Sequence, residues 1–372
     1  MGEFIGQPQV LKAVNSAMIE QFIYERGPVS KPELARLTSL SLPTVNKLVA
    51  DLESNGSIRM LGLSGKGTGR KAMLYETNKD ACCLLVLYYH AEQYVGRVTD
   101  IAGKTLFEQT YHLDKTGAES ALDSTISAID HLLSHAPNQV KSIGIGVPGV
   151  VQPDGKLLGI PKIPDWNGFC LSDALLQRYA GMDISVENDV KLSTVGYYHN
   201  HLIDRYDNIV YIYAGSGVGA GIIINKKLYR GANNFSGELG FMAPLTGNKP
   251  NRDYTNEGGY LESQLTANTA CSADVEYSGS TPEERQSQIN ILAAAAANHV
   301  AVLNPNAIVF GGEAFDEDLI QKIHEQMSFY TPKESMPPIL YDDSQTSGIE
   351  GLIQTCRGNI TTRMQLVQDC GV

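Results

Sequence analysis

A chain of 372 residues with 42% hydrophobic content is long for one domain and sufficient for two or three packed cores. No apolar run reaches the ~18 to 20 residues of a membrane span, no signal-peptide core opens the chain, and six cysteines without CxxC spacing argue against a zinc ribbon, so a cytoplasmic protein with reduced thiols is expected. The formal net charge of −12 is uneven: residues 1–80 hold ten Lys/Arg against eight Asp/Glu, and the remainder carries −14, a weak pointer to nucleic acid at the N-terminal end.

The spacing of Val10, Val14, Ile19, Phe22 and Ile23 predicts a first amphipathic helix that stops at Gly27-Pro28. Ser30, followed by Pro32 and Glu33, is an N-cap for a short helix over 32–38 that buries Leu34 and Leu37. Ser41 caps a third helix that runs to Asn55 and ends at Gly56. Its core face is Val45, Leu48, Val49 and Leu52; its other face shows Pro43, Thr44, Asn46 and Lys47. Residues 57–63 and 72–77 then read as a hairpin whose tip, Gly65–Lys71, is basic and glycine-rich. Two short helices after a longer one, followed by such a hairpin, make a winged helix-turn-helix. In that reading Pro43, Thr44, Asn46 and Lys47 face the major groove, while Lys66, Arg70 and Lys71 serve the DNA backbone or minor groove.

From residue 82 the pattern changes. Strands over 82–89, 94–99 and 105–111 form a meander, followed by a helix over 118–134 and a strand over 140–147. A helix over 171–179, a strand over 184–186 and the polar corner Glu187-Asn188-Asp189 come next. A second set of strands opens at 209–212, where Gly215, Gly217, Gly219 and Gly221 are read as a turn able to cup an anion, with Glu238 beyond it. A helix over 282–303 precedes a strand over 307–310 and Gly311-Gly312-Glu313. Strands, helix and strand, twice over, imply two similar α/β lobes with a cleft between them.

IGIGVPGVV (143–151), DWNG (165–168), VENDV (186–190), AGSGVGAGI (214–222), GELGF (237–241) and NPNAIVFGGE (304–313) stand in an order that resembles the ROK family (repressors, open reading frames, sugar kinases), in its repressor branch. The resemblance implies an α/β chain with a winged helix-turn-helix domain over 1–80 and a two-lobed actin/hexokinase-like (ribonuclease H-like) body over 81–372 for effector binding and oligomerisation. It places Asp189 at the position of the kinases' catalytic base, and Gly149, Asn188, Asp189, Glu238 and Glu262 at sugar-contact positions. Helix capping is the plainer reading of Asn188-Asp189. Trp166, the single tryptophan, stacks on a sugar at the cleft mouth or closes the lobe core.

Two departures from the family pattern matter. Its first phosphate loop, DxGxT, falls where this chain has Tyr88-Tyr89-His90-Ala91-Glu92, so phosphoryl transfer is not expected. Its zinc ligands fall on Phe241, Asp253, Thr255 and Tyr260, so neither zinc nor another cofactor is expected. The sequence therefore reads as a transcriptional regulator, a homodimer or tetramer that binds operator DNA and represses carbohydrate-utilisation genes under control of a sugar. A sugar kinase with an attached DNA-binding domain, or a regulator answering to a protein partner, are the alternatives.

Overall fold

The computed structural model describes residues 8–63, 72–90, 93–160, 163–215, 217–243, 259, 261, 265 and 281–370. The expected positions Lys66, Arg70, Lys71, Glu92, Asp253, Thr255, Tyr260 and Glu262 lie outside them.

The N-terminal unit holds α1 (Pro8–Arg26), β1 (Val29–Ser30), α2 (Lys31–Thr38), α3 (Leu42–Ser54), β2 (Ile58–Leu63) and β3 (Met73–Thr77). Ser30 and Ser41 cap α2 and α3 by accepting from the amides of Glu33 and Thr44. Val45, Leu48, Val49 and Leu52 are buried against Ile19, Ile23, Leu34 and Ile58, as the helical period requires. Two details differ from expectation. Val14 is 58% exposed, and Ala13 and Ser16 take the inward positions of α1 instead. Val29-Ser30 pairs antiparallel with Leu74-Tyr75, adding a third strand to the hairpin. A two-residue strand has no periodicity of its own; only its partner makes it one.

Two five-stranded sheets follow, and their topologies match. In the first, β4 (Cys83–His90), β5 (Gln93–Asp100) and β6 (Thr105–His112) form an antiparallel meander, with β7 (Val140–Val147) and β10 (Asp183–Asn188) added parallel to β4. In the second, β11 (Ile209–Ala214), β12 (Val218–Ile224) and β13 (Lys227–Leu228) form the meander, with β14 (Ala307–Gly311) and β15 (Ile339–Asp342) parallel to β11. A small β8–β9 ribbon (Val150–Val151, Leu157–Leu158) follows β7. The helices correspond as well: α4 (Ala118–Ser134) with α7 (Pro282–Leu303), α5 (Leu171–Arg178) with α8 (Glu317–Met327), and α6 (Asp189–Tyr197) with α9 (Ser347–Cys370).

The last pair crosses between lobes. Helix α6 leaves the first sheet, yet Val190 packs with Ile209, Tyr211 and Ile223 of the second. Helix α9 leaves the second sheet, yet Ile349, Leu352 and Cys356 pack on Leu84, Val86 and Tyr88 of the first. The two helices meet backbone to backbone: a Cβ on Gly196 would lie 1.9 Å from the Ser347 carbonyl oxygen, and one on Gly351 would lie 1.9 Å from that of Leu192. Any larger residue at either position would push them apart.

Helix α9 also carries the N-terminal unit. The Arg357 guanidinium lies 3.1 Å from the centroid of the Tyr24 ring, and the Tyr24 hydroxyl donates to the carbonyl of Ala102 at 3.3 Å. Glu20, also on α1, is pushed up to about 7 by burial, with the positive field of Arg357 opposing the rise. Beside this contact an open cleft of about 830 Å³ separates the unit from the body, lined by Glu25, Lys79, His199 and Lys226 among others.

Candidate functional site

Parallel strands place their carboxyl ends together, and open α/β sheets build their sites there. Here β7 and β10 run in register to Val147 and Asn188, so the Pro148-Gly149 turn and the start of α6 are adjacent. Gly149 has φ +87°, and a Cβ there would lie 2.6 Å from the Leu158 carbonyl oxygen, so the position requires glycine. Its carbonyl accepts from Asn188 Nδ2 at 2.9 Å. The Asn188 Oδ1 accepts from the amide of Lys191 at 2.9 Å, capping α6. Asn188 is thus committed to the protein on both sides of its amide, and Nδ2 also donates to Asp189 Oδ1 at 3.1 Å. Its geometry fixes Asp189, the first residue of the helix.

Asp189 is half-buried, and its Oδ1 also accepts from the amide of Val190 at 2.8 Å. Burial pushes its carboxyl up to about 7, and the negative fields of Glu238 and Glu313 push in the same direction. Glu238 is brought in by the 234–241 loop. Lys191, only 1% exposed, donates from Nζ to the Asn234 carbonyl at 2.7 Å and lies 3.6 Å from Glu238 Oε1. A lysine buried this completely needs such partners. The loop is held from the far side too: Asn234 Nδ2 donates to the Val151 carbonyl at 2.8 Å, and Arg230 pairs with Glu187 at 2.6 Å. Phe235 and Phe241, with ring centroids 5.2 Å apart, flank Glu238 in the same loop.

The second lobe supplies the opposite wall, and there the glycine turn departs from expectation. Gly219 and Gly221 belong to β12, not to a turn. A Cβ on Gly221 would lie 1.8 Å from Thr194 Oγ1, and one on Gly219 would lie 3.2 Å from Val190 Cγ2. These glycines let α6 sit on the sheet; they do not cup an anion. Gly215 does lie in the turn, but a Cβ there would meet the Glu313 carboxylate at 2.0 Å and the Tyr213 hydroxyl at 2.7 Å. Tyr213 donates to Glu313 Oε2 at 2.8 Å, and Tyr211 donates to Asp342 Oδ2 at 2.9 Å. From the first lobe Tyr88 reaches Ser193 Oγ at 3.3 Å, and burial holds all three phenols above their ordinary range.

Of the expected sugar-contact residues, Gly149, Asn188, Asp189 and Glu238 converge on the start of α6. Pro43, Asn46 and Lys47 are exposed on α3, while Thr44 is partly covered and shares a 2.7 Å hydrogen bond with Ser41. Trp166 is 1% exposed, donates from Nε1 to the Ala118 carbonyl and lies in the first-lobe core, so the reading of it at the cleft mouth is set aside. Lys191, Asn234, Tyr213 and Glu313 carry no role in the sequence reading, and no local signal marks them.

The sequence profile of the ROK family matches residues 91–353. The chain belongs to the ROK family. Among similar proteins, the xylose repressor of Bacillus subtilis (strain 168) is 28% identical over 241 residues, 64% of this chain and 62% of that protein. The DNA-binding transcriptional dual regulator NagC of Escherichia coli (strain K12) is 26% identical over 245 residues, 64% of this chain and 59% of that protein. In both cases this ROK chain spans less than two thirds of the relative's length. In fold it is similar to a ROK family transcriptional regulator described as a homologue of the E. coli MLC protein, with a TM-score of 0.77 at 20% identity over 96% of this chain and 99% of that one. The body is also similar to a ROK glucokinase of Streptomyces griseus, with a TM-score of 0.57 at 22% identity over 75% of this chain and 98% of that one. ROK bodies are thus shared by named repressors and sugar kinases. Among the described residues no group of three or more His, Cys, Asp or Glu could hold a metal ion, and no helix is long and apolar enough to cross a membrane.

Proposed function

We propose that the chain is a sequence-specific transcriptional regulator: residues 1–80 bind operator DNA, and residues 81–372 bind a sugar between the lobes and assemble the homodimer that two half-sites require. The observation that carries this reading is that an exposed, capped α3 and a sugar-kinase-like cleft share one chain, while the cleft's glycine turn is filled by Tyr213 and Glu313. A carboxylate against that turn opposes a nucleotide phosphate, which favours a regulator over a kinase. The names of the relatives, a xylose repressor and NagC, support repression of carbohydrate-utilisation genes.

The response would run through packed helices. A sugar hydroxyl donating to Asp189 engages the first turn of α6; α6 is seamed to α9 at Gly196 and Gly351; α9 seats α1 through Arg357 and Tyr24. A ligand that prefers one arrangement of these helices shifts the orientation of α3 relative to its partner copy. Selection of DNA fragments by the purified protein tests the reading. An enriched inverted repeat with half-sites one helical turn or a multiple apart is expected, with affinity altered by one member of a sugar panel. No enriched motif would refute the DNA-binding role; a motif with no sugar response would favour a protein partner.

A further inference from the structure

We infer that β6 is an assembly edge: two copies of this chain pair their β6 strands antiparallel about a two-fold axis at Gln109, joining two five-stranded sheets into one of ten strands. The choice of a second copy as the partner rests on the two-copy reading above; the open edge does not. The fold blunts the other edges of its two large sheets. β13 has two residues, too few to template a partner. β15 has four, none of them exposed; it follows Pro337-Pro338, and its Tyr341 carbonyl accepts from the Tyr197 hydroxyl at 3.4 Å. α9 lies along β10, where Asn359 donates to Asp183 and Ser185, and no β10 residue is exposed. β6 is different. It ends the first sheet, runs eight residues without a lysine or proline, and exposes six of them. Alternate residues of such a strand turn their N–H and C=O groups away from β5, the pattern that pairs with another strand.

The side chains set the register. Phe107 stacks on His135 with ring centroids 3.9 Å apart, and Tyr111 shares a 2.8 Å hydrogen bond with His131 Nδ1. Both rings therefore stand on the α4 side of the strand, and both stay half-buried. With the axis at Gln109, Phe107 of each copy lies opposite the partner's Tyr111. Aromatic rings opposed in this way are favourable cross-strand pairs. Moving the axis to Glu108 would set Phe107 against the partner's Gln109 and lose both aromatic pairs. Moving it to Thr110 would set Phe107 against the partner's Leu113, which is 1% exposed and belongs to its own lobe's core.

The test is sedimentation velocity of the full chain over a micromolar concentration series. Gln109 is exposed, so Gln109→Lys and Gln109→Glu should both fold normally. Each sets like charges face to face at the axis and should weaken self-association by about tenfold or more. Mixed in equal amounts, the two variants should recover it, because lysine then opposes glutamate; only a residue that meets its own copy behaves so. Variants that assemble as the wild type does, or whose mixture does not recover, would overturn the seam while leaving a homodimer through another surface. A wild type that stays monomeric would overturn the seam and the homodimer together.

Discussion

Asp189→Asn separates what this residue costs from what it does. In the folded chain burial and two neighbouring carboxylates raise its carboxyl from 3.8 to about 7. A carboxyl raised in this way favours the native state fully below its unfolded value, and that contribution is lost as pH climbs through about 7. Between pH 4 and pH 8 the wild type should therefore lose stability that the amide variant, uncharged throughout, keeps. At 1.36 kcal/mol per unit the difference is at most about 4 kcal/mol, an upper bound because the half-buried carboxylate keeps some solvent. The local bonds survive the change, since the amide oxygen can still accept from Val190 and Asn188. Binding should move the opposite way. A hydrogen bond from a ligand hydroxyl to a charged acceptor contributes about 1.5 to 3 kcal/mol, so sugar affinity at pH 8 should fall about tenfold or more. Urea unfolding at pH 5 and pH 8, paired with sugar titration, reads both. A variant that is less stable than wild type at pH 8, or that binds sugar equally well, would show that Asp189 is a structural carboxylate and not a ligand contact.

Other perturbations address the remaining parts. Lys47→Ala, at an exposed position on α3, should weaken operator binding without unfolding the unit and lower the salt slope by about one; unchanged affinity would move the DNA contact elsewhere. Arg357→Met, which keeps an apolar stem on Tyr24 but removes the positive field beside half-buried Glu20, should destabilise by about 1 kcal/mol. It should also shrink the effect of sugar on operator affinity while sugar affinity itself stays within twofold, and an intact response would take α9 out of the route. Purified protein should contain no stoichiometric zinc and form no sugar phosphate from ATP. One zinc per chain, by metal analysis, would mean that the family's zinc ligands do not fall on Phe241, Asp253, Thr255 and Tyr260.

How legible was this in the sequence? The inward face of α3 follows from local period and the Ser41 cap, and it stands where those signals put it; α4 and α7 also coincide with the helices expected over 118–134 and 282–303. The duplicated lobes were readable because each repeats meander, helix, strand. What local signals miss is decided by distant partners. Val14 has the right spacing for the core but is exposed, while Ala13 and Ser16 take the inward positions of α1. Gly219 and Gly221 have the composition of a phosphate turn, yet α6 determines their role. The Tyr213–Glu313 bond joins residues 100 apart in sequence, and Lys191 meets Asn234 across 43; nothing near either residue announces its partner. Asn188 reads from sequence as a sugar contact or a helix cap, and only the fold reveals that its amide is spent on Gly149 and Lys191.

The seating of α1 on α9 bears on any attempt to treat such regulators as interchangeable parts. A cut near residue 80 looks natural, since the N-terminal unit has a core of its own. Yet the surface that orients it belongs to the other side of the cut: Arg357 and the Ala102 carbonyl grip Tyr24, and half-buried Glu20 lies in the field of Arg357. A foreign DNA-reading unit joined at that point would fold and bind its own site, but it would sit on a helix built for someone else's tyrosine. A working chimera has to transplant Glu20 and Tyr24 with the seat, or rebuild the outward face of α9 to suit the newcomer. On the proposed reading, specificity for DNA and obedience to the sugar would therefore be encoded in different surfaces of the same small unit and could be exchanged separately.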